Sequence, residues 1–532
     1  QVQFLAYMLN TLGNHHTSPR DKDVIIRESY KKIFRDEKVQ VEDDLSENRT
    51  VITNKDVTAY LKDIEFFFTQ VKFEFDIKDI EAFTRENGEL SIKVALNRTL
   101  KATGLEGEVI LNTKPRYIEI NLDKTTDELV IASIYTTKVS RDVALKQWWK
   151  TLSYGWKAIF REKLAITSDS VTLPLLNKIA ALDSINISGN TVIVSVAPLT
   201  MLVDLKHINI SNTRIKDVSA LSSLNELVSL NISNTAIDDI SYLRYAENIE
   251  TLNISYTRIT SLEPLLNLQQ LKSLSIAGSN VNEFTILKFF TQLQTLDLSE
   301  TYFGQPSILE DLKQLKSLNL SRTAIYSLSN PMNPNFLESL DISFTYIRDI
   351  SSLANYTSLN TLNISSTQVT DLTSLEGIAT LEKVYADNTY ITENKVADFK
   401  DKRPAVTLVF NSEALSAWWM SLNSEWQNAL KTYIPTIKNQ TPTKEQLAKL
   451  VSVDSLNLAG KGLTDIAPLK KFIRLRILDI SENAISNFDE LKGLASLIKL
   501  KAKHTGFTNV APVIGLKKMQ ILDISDNNLA SE

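Results

Sequence analysis

The chain has 532 residues, with 63 acidic and 58 basic side chains and a formal net charge of −5. This balance argues against nucleic acid and acidic membranes as partners, because both are bound by basic patches. The absence of cysteine excludes disulfides, thiolate metal sites and cysteine nucleophiles. No apolar run is long enough for a transmembrane segment, and the length predicts several domains or a repeat array.

Residues 1–140 predict an α+β domain. Apolar periodicity and a Ser18-Pro19 cap predict three helices, at about 4–12, 19–34 and 55–68. Alternating apolar and polar residues then predict antiparallel strands at 71–77, 90–96, 108–111, 117–122 and 129–135. Helices followed by a meander of long strands resemble the α+β cone of the nuclear-transport-factor-like folds. That resemblance makes Arg98, Tyr117 and Glu119 candidates for a cavity lining, with cross-strand pairing as the simpler interpretation.

A tryptophan-rich helical segment occurs twice. In residues 141–181 one helical stripe holds Leu145, Trp148, Trp149, Leu152, Trp156, Ile159 and Phe160. The same pattern returns 270 residues later, at Leu415, Trp418, Trp419, Leu422 and Trp426. We interpret each segment as a cap over the apolar end of a repeat array. A ligand-stacking platform of tryptophans is the alternative.

A 22-residue repeat occupies most of the remaining chain. Its first aliphatic residue returns at Leu205, Leu227, Ile249, Leu271, Leu293, Leu315, Leu337, Leu359 and Leu381. Ten repeats run from Leu182 to about Arg403, and four more open at Val453, Leu475, Leu497 and Met519. The L-x-x-L-x-L phrase at this period predicts a leucine-rich-repeat solenoid, an α/β right-handed superhelix with a parallel concave sheet. The predicted domains are therefore 1–140, 141–411 and 412–532, the last two each being a cap plus repeats.

The repeat resembles the internalin-like class of bacterial leucine-rich repeats. Matches to the second half of that consensus include Asp217-Val218, Asp239-Ile240, Asp349-Ile350, Asp371-Leu372 and Asp465-Ile466. The resemblance implies a binding scaffold, not an enzyme. One departure is that threonine mostly replaces the family's ladder asparagine, as at Thr235, Thr323 and Thr345. We expect these hydroxyls to hydrogen-bond to neighbouring coils.

Strand alternation predicts a concave face of small polar groups, such as Ser229, Asn231 and Ser233. Two interpretations are open: stacked side chains that bond one another, or a flat track for a polymer such as a glycan. The Asn-x-Ser patterns of this face also form glycosylation acceptors at Asn186, Asn209, Asn231, Asn253, Asn319 and Asn363. Sugars there would cover the inner face, which favours a bacterial source.

Side-chain diversity is concentrated at the rim, just past each strand. The candidate ligand-binding residues are Tyr256, Arg258, Tyr302, Arg322, Phe344, Tyr346 and Tyr390 on the rim, Tyr385 on the last inner strand, and His207 and Asp297 on the concave face. Tyrosine and arginine are enriched in interface hot spots. The competing interpretation is that these aromatics pack over the next coil.

No catalytic residues, cofactor or metal site are predicted. The chain lacks H-E-x-x-H, G-x-S-x-G, Walker and G-x-G-x-x-G motifs, and the adjacent His15-His16 pair is a weak metal signal. The start at Gln1 without a visible signal peptide fits both a processed exported chain and a trimmed one.

The leading hypothesis is a non-enzymatic bacterial recognition protein that is periplasmic, cell-surface or secreted and binds a protein or polysaccharide. One alternative is a structural or assembly module in which the open repeat end at Glu532 receives further repeats or a partner. The other is small-ligand binding by the N-terminal cone, with the repeats as its targeting arm.

Overall fold

The computed structural model describes residues 1–45, 54–84, 89–104, 107–123, 126–136, 141–167, 170–328, 335–434 and 441–529. It contains two compact units. The first unit comprises residues 1–274 and 279–290, and the second comprises residues 275–278 and 291–532. The three-domain division made from the sequence stays a prediction.

The first unit begins with an α+β domain. Its elements are α1 (Val2–Leu12), α2 (Pro19–Arg27), β1 (Gln40–Glu42), β2 (Asn54–Asp56), α3 (Val57–Phe67), β3 (Phe68–Thr84), β4 (Leu90–Gly104), β5 (Val109–Asp123) and β6 (Glu128–Tyr135). The strands form a six-stranded sheet in the order β2-β1-β6-β5-β4-β3. Apolar residues of α1, α2 and α3 pack with the inward residues of β3 to β6 in one core.

Several elements in this domain differ from the sequence prediction; the strands predicted at 71–77 and 90–96, for example, extend over Phe68–Thr84 and Leu90–Gly104. The second helix ends at Arg27 and a short 3-10 turn follows, so the predicted extension to Phe34 is wrong. The predicted strands at 108–111 and 117–122 are one strand, because β5 keeps its pairing with β4 through Pro115. The short strands β1 and β2 were not predicted, because three residues are too few to show a pattern.

The first tryptophan-rich segment is two helices rather than one stripe. They are α4 (Arg141–Thr151) and α5 (Tyr154–Lys163), followed by α6 (Leu173–Ala180). The chain breaks because the Ser153 side chain accepts a hydrogen bond from the backbone N–H of Trp156 at 3.3 Å and so caps a new helix. Trp148 and Trp156 are buried, whereas Trp149 is half-buried.

The first unit continues with parallel three-residue strands. They are β7 (Ser184–Asn186), β8 (His207–Asn209), β9 (Ser229–Asn231) and β10 (Thr251–Asn253). Each strand pairs in register with the next, so Leu252 lies beside Leu230, and these central aliphatic residues are buried. Short 3-10 turns such as Ser219–Ser223 and Ser241–Tyr245 return the chain between strands.

The same pattern continues through the next strands, after β11 (Ser273–Ser275). They are β12 (Thr295–Asp297), β13 (Ser317–Asn319), β14 (Ser339–Asp341), β15 (Thr361–Asn363), β16 (Lys383–Tyr385) and β17 (Thr407–Val409). Strands β7 to β17 form an 11-stranded sheet in chain order, which confirms the predicted parallel sheet. The ten predicted repeats supply β7 to β16. The eleventh strand, β17, was not predicted.

A second set of helices and strands completes the second unit. The helices are α7 (Glu393–Lys402), α8 (Ser412–Ser421), α9 (Ser424–Lys431) and α10 (Lys444–Val451). The strands β18 (Ser455–Asn457), β19 (Ile477–Asp479), β20 (Lys499–Lys501) and β21 (Ile521–Asp523) form a four-stranded parallel sheet. Among the residues described, no helix is long and apolar enough to cross a membrane.

Both tryptophan-rich segments contact the coil that follows them. The Trp156 indole N–H donates to the Ser195 carbonyl at 3.0 Å, and the Trp426 indole N–H donates to the Asp465 carbonyl at 3.2 Å. These indole faces are buried, so no ligand can stack on them. The geometry therefore favours the cap interpretation over a stacking platform.

The ladder threonines Thr235 and Thr345 do not bond across coils as expected. Thr345 donates to the Ile342 carbonyl of its own coil at 2.6 Å, and Thr235 donates to Ile232 in the same way at 2.7 Å. Asn483 does bridge coils, because its longer amide donates to Leu458 of the preceding coil at 2.9 Å. The expected ladder of threonine hydroxyls is therefore wrong for these threonines.

Helix α3 holds the N-terminal domain against the outer turns of the repeats within the first unit. Glu65 accepts hydrogen bonds from Arg244 at 3.0 Å and from the Tyr245 hydroxyl at 2.7 Å. The Lys62 amine donates to the Asn225 side chain at 2.9 Å. Burial lowers the pKa of Lys62 to about 8, so this contact contains a cation that is costly to desolvate.

Candidate recognition surface

The polar residues of the concave face close turns. The Asn231 side-chain oxygen accepts the backbone N–H of Ser233 at 3.0 Å, and Asp341 accepts that of Ser343 at 2.9 Å. Asparagine and aspartate both supply this oxygen, which explains why they alternate at the third strand position. Ser343 is buried in the turn. These contacts support the interpretation of mutually bonded side chains over an open polar track.

Five exposed aromatic side chains lie on the rim in the second unit, and we call this set the aromatic rim. The exposed fractions are 77% for Tyr302, 74% for Tyr326, 48% for Phe344, 66% for Tyr346 and 69% for Tyr390. The competing interpretation, that these aromatics pack over the next coil, applies to Phe344, whose ring contacts Arg322 of the neighbouring coil, whereas the four tyrosine rings are at least 66% exposed. Tyr326 was missed because only one coil carries an aromatic residue at its position.

Backbone hydrogen bonds between consecutive coils hold this rim. The N–H of Tyr346 donates to the Ile325 carbonyl at 3.2 Å, and the N–H of Tyr390 donates to Val369 at 3.1 Å. Bonds of the same kind hold the two intervening coils, from Ala324 to Phe303 at 3.0 Å and from Gln368 to Ile347 at 2.9 Å. The aromatic side chains are therefore presented from positions that the backbone spaces regularly.

Arg322 and Phe344 contact each other. The Arg322 guanidinium carbon lies 3.9 Å from the centroid of the Phe344 ring, a cation–π geometry. Its Nε also lies 3.9 Å from a Glu300 carboxylate oxygen. Arg322 is therefore oriented by neighbours on both sides, yet more than half of its side chain stays exposed.

Two of the predicted ligand-binding residues, Tyr385 and Asp297, contact other groups of the protein. The Lys444 amine of α10 lies 4.6 Å from the Tyr385 ring centroid, and burial together with the Glu445 carboxylate raises the pKa of Tyr385. Asp297 accepts hydrogen bonds from the backbone N–H of Ser299 at 3.0 Å and from its hydroxyl at 2.7 Å. Both side chains are half-buried.

Three further predicted residues lie in the first unit. His207 is the exposed first residue of β8, and Tyr256 and Arg258 are exposed just past β10.

A concavity of about 670 Å³ lies beside Tyr346 in the second unit. Tyr326, Tyr346, Arg348 and Gln368 contribute to its walls. Asp349 is also present, but its carboxylate accepts the N–H of Ser351 at 2.8 Å, a bond that lowers the pKa of Asp349. The Arg348 guanidinium is exposed, and within the described part of the chain no carboxylate pairs with it.

The interior of the N-terminal domain is filled. Its cavity has a volume of about 20 Å³, which is room for about one water molecule. Asp44 forms an ion pair with Arg98 and accepts a hydrogen bond from Arg116 at 3.0 Å. Burial raises the pKa of Asp44, but the two guanidinium groups outweigh it and the net shift is downward.

Only one of the three residues predicted to line that cavity does so. Arg98 lines it, whereas Tyr117 and Glu119 alternate with the inward Arg116 and Ile118 on β5 and lie on the other face of the sheet. Tyr117 instead lies under the Lys93 amine, 4.1 Å from its ring centroid. The domain therefore lacks a cavity of ligand size at this place.

The first unit also contains a cleft of about 1120 Å³ beside the outer turns of its repeats. Its walls include Phe67, Trp148, Asp217, Asp239 and Tyr242. Across the described ranges, no cluster of three or more histidine, aspartate or glutamate side chains is placed to hold a metal ion.

Comparison with known proteins identifies the repeats. Residues 203–245 match the family profile described as leucine-rich repeats (2 copies), which confirms this type of repeat in the chain. No curated protein sequence matches the chain significantly.

Several solved structures align with part of the chain. An internalin from Listeria monocytogenes is 23% identical, covers 72% of this chain and 97% of its own, and has a TM-score of 0.44. An internalin C2 from the same organism is 21% identical over 44% of this chain and 89% of its own, with a TM-score of 0.32. A leucine-rich-repeat protein from Leptospira interrogans is 17% identical over 69% and 82%, with a TM-score of 0.36.

Proposed function

We propose that this protein is a non-enzymatic recognition scaffold that binds a protein or polysaccharide through the rim of its leucine-rich repeats. The aromatic rim carries the proposal, since five large side chains are exposed on coils held together by backbone bonds. Rigid aromatic groups provide contact area at a low cost in conformational entropy. Leucine-rich-repeat proteins typically serve as protein-binding scaffolds, and residues 203–245 match that family.

Within the second unit, Tyr302, Tyr346 and Tyr390 are the proposed outer contacts, and Arg322 and Phe344 the central pair. Tyr326 joins them because it is exposed beside Tyr346. Asp297 and Tyr385 contribute through their remaining exposed edges. In the first unit, His207, Tyr256 and Arg258 are a separate candidate contact set.

The proposal includes an extracytoplasmic bacterial location, at the cell surface, in the periplasm or secreted. It also keeps the division into residues 1–140, 141–411 and 412–532, with a nuclear-transport-factor-like first domain. The order of three helices and four long antiparallel strands supports that assignment. We assign the first domain a structural role, because its interior is occupied by the Asp44 and Arg98 ion pair.

The test is a screen of the full chain on protein and glycan arrays. A variant carrying Tyr302→Ala, Phe344→Ala and Tyr346→Ala should lose the ligand, because the central contacts are removed. Its thermal unfolding should be nearly unchanged, because these side chains are exposed. A control with Tyr7→Ala and Tyr154→Ala removes equally exposed rings away from the rim. Undiminished binding by the triple variant would refute the rim assignment.

A further inference from the structure

Resting on the proposed function, we propose that the aromatic rim binds a proline-rich peptide in the polyproline II conformation, with an acidic side chain beside Tyr346. Three observations carry it: the spacing of Tyr302, Tyr346 and Tyr390, the gaps between them, and the Arg348 guanidinium, which pairs with no carboxylate of the described residues. A glycan is the competing ligand, and the experiment separates the two.

The spacing of the tyrosines matches one turn of a polyproline II helix. Tyr302, Tyr346 and Tyr390 occupy the same position in alternate coils, 44 residues apart along the chain. Two strand spacings of ~4.8 Å place neighbouring tyrosines about 10 Å apart. A polyproline II helix advances about 9 Å per turn, since it has three residues per turn at 3.1 Å each. The two periods therefore stay in step over all three tyrosines.

Other peptide conformations do not keep this register. An extended strand covers about 10 Å in three residues, and an odd number of residues turns its side chains to the opposite face. An α-helix returns nearly the same face every seven residues, an advance of about 10.5 Å, but its diameter of 10 Å or more is too wide to enter between the rings. Of the three conformations, polyproline II is the one that both returns the same face to each tyrosine and is narrow enough for the gaps.

The coils between the tyrosines leave gaps of suitable size. Their equivalent residues are Ala324, with a single methyl group, and the half-buried Gln368. Subtracting one ring contact distance from the tyrosine spacing leaves gaps of about 6 Å, which admit a proline ring. Tyr346 and Gln368, which border one such gap, also line the concavity of about 670 Å³.

The free hydroxyls and the free guanidinium supply the polar contacts. Among the described residues, the hydroxyls of Tyr302, Tyr346 and Tyr390 have no hydrogen-bond partner. They can donate to the carbonyls of a polyproline II helix, which has no internal hydrogen bonds. Arg348 lies in the concavity, and Asp349 is engaged by Ser351, so the guanidinium is available to a carboxylate of the ligand.

The experiment measures binding of two peptides to the full chain by calorimetry. One is a capped peptide of four Pro-Pro-Ala units, and the other carries glutamate in place of one central alanine. A glycine-serine peptide of equal length with one glutamate controls for charge alone, and hexasaccharides of chitin and cellulose form the glycan arm. The proline-rich peptides should bind and the glutamate peptide should bind more tightly.

Three variants locate the binding. Tyr346→Ala should weaken both proline-rich peptides about tenfold or more, as expected for a central aromatic contact. Combining Tyr346→Ala with Ala324→Tyr keeps three tyrosines but moves the middle one by a coil, and it should bind as weakly as Tyr346→Ala alone. Arg348→Gln should remove the advantage of the glutamate peptide, about fivefold, so that the two proline-rich peptides bind this variant with equal affinity.

The outcomes separate this inference from the proposed function. If neither proline-rich peptide binds while the triple rim variant still loses its array ligand, the inference is wrong and the proposed function stands. Binding of a hexasaccharide instead of the peptides also overturns the inference. So does peptide binding as tight as wild type by the variant that combines Tyr346→Ala with Ala324→Tyr. If no ligand depends on the rim, both fail.

Discussion

Replacing Lys62 by methionine should remove a pH dependence from the stability of the first unit. Lys62 is 5% exposed in the contact between α3 and the repeats, and burial lowers its pKa to about 8 from an ordinary value of 10.5. The unfolded chain binds the Lys62 proton more tightly than the folded chain does, so a protonated Lys62 opposes folding. The stability is lowest below pH 8, rises as the pH passes 8, and is fully regained above 10.5.

The two pKa values set the magnitude. Holding the proton on Lys62 costs about 3 kcal/mol at pH 7 and about 2 kcal/mol at pH 9. The wild-type chain should therefore gain slightly more than about 1 kcal/mol between these pH values relative to Lys62→Met. That difference corresponds to about a ninefold change in the opening equilibrium of α3.

Hydrogen exchange of the α3 amides measures this equilibrium. Wild type and variant are compared at the same pH, so the intrinsic exchange rates cancel, and their protection ratio should change about ninefold between pH 7 and pH 9. Lys206→Met, at an exposed lysine of the same unit, should leave the ratio constant. A constant ratio for Lys62→Met as well would refute the assignment of the cost to Lys62.

Two further predictions concern the caps and coils. Trp426→Phe should lower the free energy of unfolding by about 2–3 kcal/mol, because it loses ring volume and the hydrogen bond to Asp465. Trp418→Phe should lower it by only about 1–2 kcal/mol, because the buried Trp418 indole nitrogen makes no hydrogen bond within the described residues. Asn483→Ala should lower the free energy of unfolding by about 3 kcal/mol, and Thr345→Val by about 1 kcal/mol. The Asn483 amide makes several buried hydrogen bonds, whereas the Thr345 hydroxyl makes one. Denaturant unfolding followed by tryptophan fluorescence checks both pairs, and equal costs within a pair would contradict the reasoning.

The 22-residue period was sufficient to predict the strands of the repeats. The phrase at Leu227 predicts inward and outward residues, and the structure places β9 at Ser229–Asn231 with Leu230 buried. The prediction succeeds because each coil packs against a near copy of itself, so local sequence and tertiary contacts repeat together. The repeat could not predict which carbonyl accepts the hydrogen bond of the threonine hydroxyl, because that depends on which carbonyl oxygen lies within reach in the folded chain.

Contacts between distant segments left no signal in the sequence. Arg98 lies two residues from Leu96 and two from Leu100, so the strand pattern predicts that all three face inward. Its partner Asp44 lies 54 residues away along the chain, and no sequence pattern links the two. Tyr385 was assigned to the inner strand, yet only the folded chain shows that α10 covers its ring. The break at Ser153 had a readable capping signal, which the continuous spacing of apolar residues concealed.

The backbone at the rim holds bulky side chains in a strained turn position. The turn position after each strand has a positive φ, and it holds Tyr256 at 53°, Glu300 at 56°, Arg322 at 57° and Phe344 at 54°. Glycine, as at Gly278, adopts this conformation freely, whereas a bulky residue costs about 1 kcal/mol or more. Glu482 at 57° and His504 at 49° occupy the same position in the second set of coils, so the strain follows from the repeat and is not peculiar to the rim. At the rim it fixes the direction of Glu300, Arg322 and Phe344 on consecutive coils beside the exposed tyrosines, and this fixed direction is what a rigid binding surface requires.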